Sequence, residues 1–569
     1  MMSFRKRSIR LSGLLLAAAV LAACSASENP TGLETAGTAP AGSPIPASGD
    51  LGMVSSAHPL ATDAGIAVLE QGGNAFDAAV ATAAALNVVE PMMSGMGGYG
   101  TILVYSAKED RVRYLDSSGK IPGILDSDVF RAPVPGYMEN RRGPKAVSTP
   151  GNVHAWEAMS RLYGRLPWAD LMNRAIRLAD EGFPISRRLA GSIERAYPEF
   201  PDRAREIYGR SGVPLREGEI LVQSDLAQSL RTIAAGGADA FYRGAIGRAI
   251  AEEMKASGGF LSMTDLSGDE AEWWEPISID FRGFRVFTAS PPATAFPSLI
   301  RLGMMSCPEK GAFSHNGDAY LHYFAEVTKL AFRCRLLHAG DPEINPPPLE
   351  RLLSESYWKE QADGIDPARA KPYVQPGIRI YPGPHTTHFV TADRWGNIVS
   401  ATQTLGNAFG SRIMPGETGI WLNNSLAYCT FEPKGNPMDA HPGHRKLSGD
   451  CPTIVFRDGR PWAALGTPGG HTIGQTVPQI VLNLLDFDMD IREAIAAPRI
   501  SFVEPEWIAV EEGVPEPVRE ALAERGHKLR VVRALGNAHG LTLSWDERGR
   551  PRGFRGAADP RGEGSARGY

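Results

Sequence analysis

The sequence predicts one mixed α/β body rather than two separable domains. Three observations carry that reading. Runs rich in β-branched and apolar residues occur near residue 100 and again after residue 386. The stretch from about 145 to 385 between them is mostly helical in pattern, punctuated by Gly and Pro. The 569 residues suffice for one large core, and no repeat of fixed period divides them.

The N-terminus comes first. Arg5, Lys6, Arg7 and Arg10 precede an apolar run, Leu14 to Ala23, which is too short to span a bilayer and reads as an export signal. Leu21-Ala22-Ala23-Cys24 resembles a bacterial lipobox, so Cys24 is expected to be the lipidated first residue of the mature protein. A plain secretory signal with a chance cysteine is the bland alternative. Residues 25–50, rich in Ala, Gly, Pro, Ser and Thr, read as a flexible tether. Together these predict an exported protein, periplasmic or at the cell surface, held to a membrane by a lipid anchor. A net charge of -5 with 22% charged residues offers no basic stripe for nucleic acid.

Residues 58 to 71 carry an amphipathic pattern that stops at Gly72-Gly73. Asn74 is placed to cap a second helix, Ala75 to Val89, apolar enough to be buried on all sides. Gly95-Met96-Gly97-Gly98-Tyr99-Gly100 satisfies G-x-G-x-x-G, but a helix precedes it and a strand, Thr101 to Tyr105, follows. A dinucleotide loop needs the reverse order, so a tight turn between closely approaching backbones is expected instead. Helices are predicted over Asp225 to Ala234, Ala245 to Ser257 and Asn316 to Ala339. Pro342 to Pro348 and Val374 to Pro384 read as irregular. Beyond 386 come strands at Ile454 to Phe456 and Pro461 to Leu465, with helices near 476–486 and 515–525.

The stretch His385-Thr386-Thr387-His388 onward is read as a β-hairpin, with Asp393 to Asn397 as its turn. A turn centred on Trp395 sets Ala401 opposite Phe389 and Thr404 opposite Thr386, within reach of a hydroxyl contact. Threonines that merely suit β geometry would look the same. His385 and His388 give H-x-x-H, but no carboxylates stand at ligand spacing and His388 is expected to pack in the sheet, so no metal site is expected. Cys307, Cys334, Cys429 and Cys451 show no C-x-x-C spacing. They are either disulfide-paired or buried thiols, and the sequence leaves both open.

Pro384-His385-Thr386-Thr387-His388-Phe389, followed by Asp393-Arg394-Trp395-Gly396-Asn397, resembles the self-cleavage junction of the gamma-glutamyltransferase family of N-terminal-nucleophile hydrolases. The likeness runs from about residue 51 to the end. It includes Met53 to Ala61, Gly72 to Ala75, Asp77 to Ala79, Val89-Glu90-Pro91, Ser94 to Gly98, Leu422-Asn423-Asn424, Pro452 to Val455 and Pro468-Gly469-Gly470. It implies a four-layer αββα sandwich cut into a large subunit, 51–385, and a small subunit, 386–569. The Thr386 hydroxyl would attack the His385 carbonyl, and water would release the new terminus. The mature Thr386, with its own α-amine as base, would then form an acyl-enzyme with an amide substrate. Thr404 matches the threonine that orients the nucleophile. Gly469 and Gly470 match the glycines whose N–H groups form the oxyanion hole. Nucleophile, base and donors are all protein groups, so no cofactor is implied.

The substrate clamp departs from the family. Ser118 stands where an Arg for the γ-glutamyl α-carboxylate is implied, and Gly406 replaces an Asn. Ser425 and Tyr428 replace an amide or acid and an Asp for the α-amine, and Ser448-Gly449 replaces a Ser pair. A zwitterion needs a fork for its carboxylate and an acid for its ammonium. Lys120 or Arg445 are candidates for the missing cation, and no replacement for the Asp is evident. The resemblance implies hydrolysis or transfer of γ-glutamyl groups, as of glutathione. The alternatives are an acylase for another amide, such as a β-lactam side chain or a small dicarboxylic monoamide, and a lipid-anchored binding protein without turnover.

Overall fold

In the computed structural model, residues 38–40, 45–374 and 385–569 are described, and Ala36–Tyr569 form one compact unit. The export signal, Cys24, most of the tether and the segment 375–384 ahead of Thr386 lie outside the described residues. Among the described residues no helix is long and apolar enough to cross a membrane.

Two antiparallel sheets stack face to face. The first runs Thr38–Pro40, Ser565–Gly568, Gly52–Ser56, His385–Asp393, Ile398–Gly406, Tyr99–Ser106, Arg111–Ser117 and Glu272–Trp274. The second runs Ile277–Phe281, Phe284–Thr288, Thr453–Arg457, Arg460–Gly466, His539–Trp545, Pro551–Ala558 and Ala47–Gly49. Alternation along each strand sends neighbours to opposite faces. Val390, Ala392, Ile398 and Leu103 therefore meet Ile454, Ala464 and Leu541 between the sheets. Phe389, Val399, Ala401 and Ile102 pack outward on the helices Pro59–Glu70 and Ala75–Val89. Val455, Ala463 and Leu465 pack outward on Phe296–Met305, Asp318–His338 and Ile473–Leu485. Three apolar layers between four structural ones make the αββα sandwich.

The helix Ala75–Val89 is buried at every residue. Asn74 and Asp77 form a reciprocal capping box at its start, as Asn74 led us to expect. Its alanines let the preceding helix come close: a Cβ on Gly65 would lie 2.3 Å from the Thr82 hydroxyl. The hairpin is tied to this helix by Asp393, which accepts the N–H groups of Trp395 and Asn397 in the turn and of Ala75 at 2.8 Å.

Besides four two-residue strands between 183 and 221, three strands of the two large sheets, Glu272–Trp274, Ile277–Phe281 and Phe284–Thr288, interrupt the stretch that reads as mostly helical. The last two alternate apolar and polar residues about Arg282-Gly283, both at positive φ (54 and 84), as a tight hairpin turn requires. Thr38–Pro40 and Ala47–Gly49 also pair into the sheets. The body thus begins inside the stretch assigned to the tether, because backbone pairing at a sheet edge needs no apolar side chain to announce it. The four cysteines are free thiols.

Candidate active site

The central hairpin pairs in the register that its turn predicts, with Phe389 opposite Ala401 and Thr386 opposite Thr404; Thr404 in turn faces Tyr99 on the next strand. The alternation that sends Val390 and Ile398 inward sends Thr386, Thr404 and Tyr99 inward as well. They form one row across three strands on the inner face of the first sheet. The next row is His388, Thr402, Thr101 and Asp116.

Thr386 and Thr404 are buried. The Thr386 hydroxyl donates to Thr404 Oγ1 at 3.2 Å, and Thr404 Oγ1 donates to the His385 carbonyl at 2.6 Å. The Gly406 N–H donates to Thr404 Oγ1 at 2.8 Å. The carbonyl that precedes Thr386 is thus polarised by a fixed hydroxyl, and the Thr386 hydroxyl is held beside it. The glycine loop serves this arrangement: a Cβ on Gly98 would lie 2.4 Å from the Thr404 carbonyl oxygen, so only glycine lets the loop pass.

On the outer face Thr387 donates to Glu90 at 2.9 Å, and Arg188 lies 3.5 Å from the same carboxylate. Burial raises the Glu90 pKa against the pull of Arg188. Burial, with Arg188 and Arg195 nearby, pulls His385 down to about 4, so the imidazole is neutral at pH 7. His388 is buried between the sheets with Nδ1 2.9 Å from Thr402 Oγ1, and burial holds it far below its ordinary range. It packs in the sheet.

Gly469 and Gly470 follow the strand Arg460–Gly466 at φ 139 and 58. Neither N–H is taken by an acceptor among the described residues. Gly449 lies against them, since a Cβ there would sit 3.8 Å from the Gly470 carbonyl oxygen. Ser448 contacts Thr101 at 3.3 Å in the second inner row. The loop Ser448-Gly449 therefore bridges the glycine pair and the inner face that carries Thr386.

The remaining predicted positions are engaged locally. Ser118 donates to Asp116 at 2.9 Å, and Ser425 bonds Ser148. Gly406 is at φ 98, and a Cβ there would lie 2.2 Å from Asn424 Oδ1, which closes the space to an asparagine in this arrangement. Tyr428 ends a buried turn of 3-10 helix, Ser425–Tyr428. Arg445 is committed: it lies 3.1 Å from Asp116 and also pairs with Glu272, while Lys120 is 3.6 Å from Glu272. Neither is a spare cation. Sequence reasoning missed Glu90 as a partner of Thr387, and missed Tyr99, Lys446 and Asp450. Register alone would have found Tyr99; nothing in the spacing flags the others.

His322, Glu326 and His527 lie close enough to share a metal. There the two imidazoles bond each other at 2.8 Å and Glu326 pairs with Lys329 at 2.6 Å, so the donors are already satisfied.

The sequence pattern of the family described as gamma-glutamyltranspeptidase matches residues 61–569. A glutathione hydrolase proenzyme of Bacillus subtilis (strain 168) is 34% identical over 540 residues, covering 90% of this chain and 91% of its own. An acylase ACY 1 proenzyme of Pseudomonas sp. (strain V22) is 35% identical over 518 residues, covering 88% and 91%. The crystal structure of cephalosporin acylase from Bacillus halodurans superposes with a TM-score of 0.82 at 29% identity, covering 96% of this chain and 99% of that one. On the family pattern and these identities, the chain belongs to the gamma-glutamyltranspeptidase family, enzymes of the amidohydrolase and acyltransferase type.

Proposed function

We propose that the chain is made as one precursor, cuts itself between His385 and Thr386, and then uses Thr386 to break γ-glutamyl amide bonds. The observation that carries this reading is the hydrogen-bond chain from the Thr386 hydroxyl through Thr404 to the His385 carbonyl. Thr386 Oγ1 adds to that carbonyl carbon, and Thr404 stabilises the charge that develops on its oxygen. The C–N bond breaks as the amide nitrogen takes a proton, leaving an ester to Oγ1 and a free α-amine. Water cleaves the ester, giving a carboxylate on His385 and restoring the hydroxyl. In the mature enzyme the amine, with a reference pKa of about 7.7 to 8, takes the hydroxyl proton as Thr386 attacks substrate. The unclaimed N–H groups of Gly469 and Gly470 receive the oxyanion, and water or an amine resolves the acyl-enzyme.

The glutathione hydrolase relatives support γ-glutamyl substrates. A second reading, an acylase for a different acyl group, is favoured by the acylase relatives and by the neutral Ser118 and Tyr428. Assay of the self-cleaved protein on γ-glutamyl and other acyl anilides separates the two. Turnover of γ-glutamyl anilide that disappears in Thr386→Ala is expected; turnover of other acyl anilides alone would select the acylase. The lipobox sequence supports attachment through Cys24. A Cys24→Ser protein is expected to leave the membrane fraction, and membrane binding that survives the substitution would remove the anchor.

A further inference from the structure

The loop ahead of the strand Thr453–Arg457 lays two opposite charges on the inner face of the first sheet, Lys446 over Tyr99 in the row of Thr386 and Asp450 against Thr101 in the next row. Lys446 is only 1% exposed, with Nζ 3.4 Å from the centre of the Tyr99 ring. Its hydrogen bond is to the Leu447 carbonyl at 3.1 Å, and no carboxylate of a described residue lies within 4.0 Å of it. Asp450 is likewise buried. One of its oxygens accepts from Ser448 at 2.8 Å and Thr101 at 3.4 Å, and the other takes no bond from a described residue. Leaving an ammonium and a carboxylate buried, close, and yet not paired with each other is costly unless something joins them. Burial accordingly pulls Lys446 down and pushes Asp450 up, each restrained by the other's charge.

We infer that Lys446 and Asp450 form a relocated zwitterion clamp for the α-carboxylate and α-ammonium of the acyl group bound at Thr386, an inference that rests on the function proposed above. Tyr99 is two strands from Thr386, about 10 Å at ordinary strand spacing, and Lys446 sits over it. A γ-glutamyl chain on Thr386 Oγ1 runs along that row, its carboxylate meeting Lys446. Its ammonium turns to the second row, where Asp450 offers the open oxygen. The clamp restores both formal charges that Ser118 and Tyr428 lack, and Lys446 Nζ lies 5.9 Å from the centre of the Tyr428 ring. Arg445 and Asp116 lie nearby but hold each other.

The test compares kcat/KM of self-cleaved enzyme on three anilides: γ-glutamyl, glutaryl, which lacks the ammonium, and 4-aminobutyryl, which lacks the carboxylate. The unaltered enzyme is expected to prefer γ-glutamyl over each by roughly 100-fold. Asp450→Asn should erase the preference over glutaryl, and Lys446→Met the preference over 4-aminobutyryl. A loss shared equally by all three substrates would mean that these residues only support the fold, and the inference would fall. Equal use of glutaryl and γ-glutamyl by the unaltered enzyme would overturn it without any variant, and that ratio decides the matter if Lys446→Met does not fold. A self-cleaved enzyme that turns over none of the three would instead sink the proposed function.

Discussion

Thr404 Oγ1 meets three groups at once, accepting from Thr386 and Gly406 and donating to the His385 carbonyl. Thr404→Val keeps the shape and removes the donor, so self-cleavage is expected to slow by about 100-fold, the usual cost of one oxyanion donor. A time course of intact mass after purification measures it, and an unchanged rate would take Thr404 out of the chemistry. Gly469, at φ 139, lies where a Cβ would meet the Thr472 hydroxyl at 2.2 Å. Gly469→Ala should displace the loop and lower kcat more than it changes KM, as judged on the mature enzyme. The facing of Thr386 and Thr404 was legible in the sequence, because a turn position fixes every cross-strand pair that follows it. Glu90, Lys446 and Asp450 were not. Glu90 reaches Thr387 of the hairpin, and Lys446 and Asp450 reach Tyr99 and Thr101 on the neighbouring strand, only through tertiary packing, across sequence distances that carry no period.

The helix Ala75–Val89 supports the hairpin from outside the sheet, and its N-terminus is where the support is fastened. Asn74 caps it, while Asp77 accepts the N–H groups of Asn74, Arg165 and Leu166. Asn74→Ala should cost about 1 kcal/mol of stability, as capping residues do, seen as an earlier unfolding transition in denaturant with self-cleavage retained. Caps, glycine stops and apolar runs made this helix and the hairpin readable to within a residue or two. The hairpin Ile277–Phe281 and Phe284–Thr288 carried an equally local signal in Arg282-Gly283, but short alternating strands set among helices are lost to a reading that follows the longer period. The edge strand Ala47–Gly49 offered no signal, since its partner strand supplies the pairing.

At the scale of the molecule, folding keeps His539 dry in the strand His539–Trp545 and His527 dry against His322 of the helix Asp318–His338. Burial pulls His539 and His527 down to about 3, from an ordinary 6.5. A group whose folded pKa is depressed contributes stability that is whole above its unfolded value and is lost as pH falls toward the folded one. Each such histidine therefore removes stability between pH 6.5 and about 3, at roughly 1.4 kcal/mol per pH unit. His539→Gln should flatten that fall when unfolding free energies at pH 7 and pH 4 are compared. The difference between the two proteins isolates the histidine from buried carboxylates such as Asp393, whose pKa burial raises and which titrate in the opposite sense. The fold class followed from where strand and helix patterns lie, whereas the stacking of two sheets came only with the family likeness, because alternation fixes a strand's faces but not which sheet lies opposite. The most direct test of the account is the intact mass of the purified chain, with N-terminal sequencing of any fragments. The account predicts two fragments, the smaller beginning Thr386-Thr387-His388. A chain that stays whole on incubation, or is cut elsewhere, would contradict it, since Thr386 would then lack the free amine on which the chemistry depends.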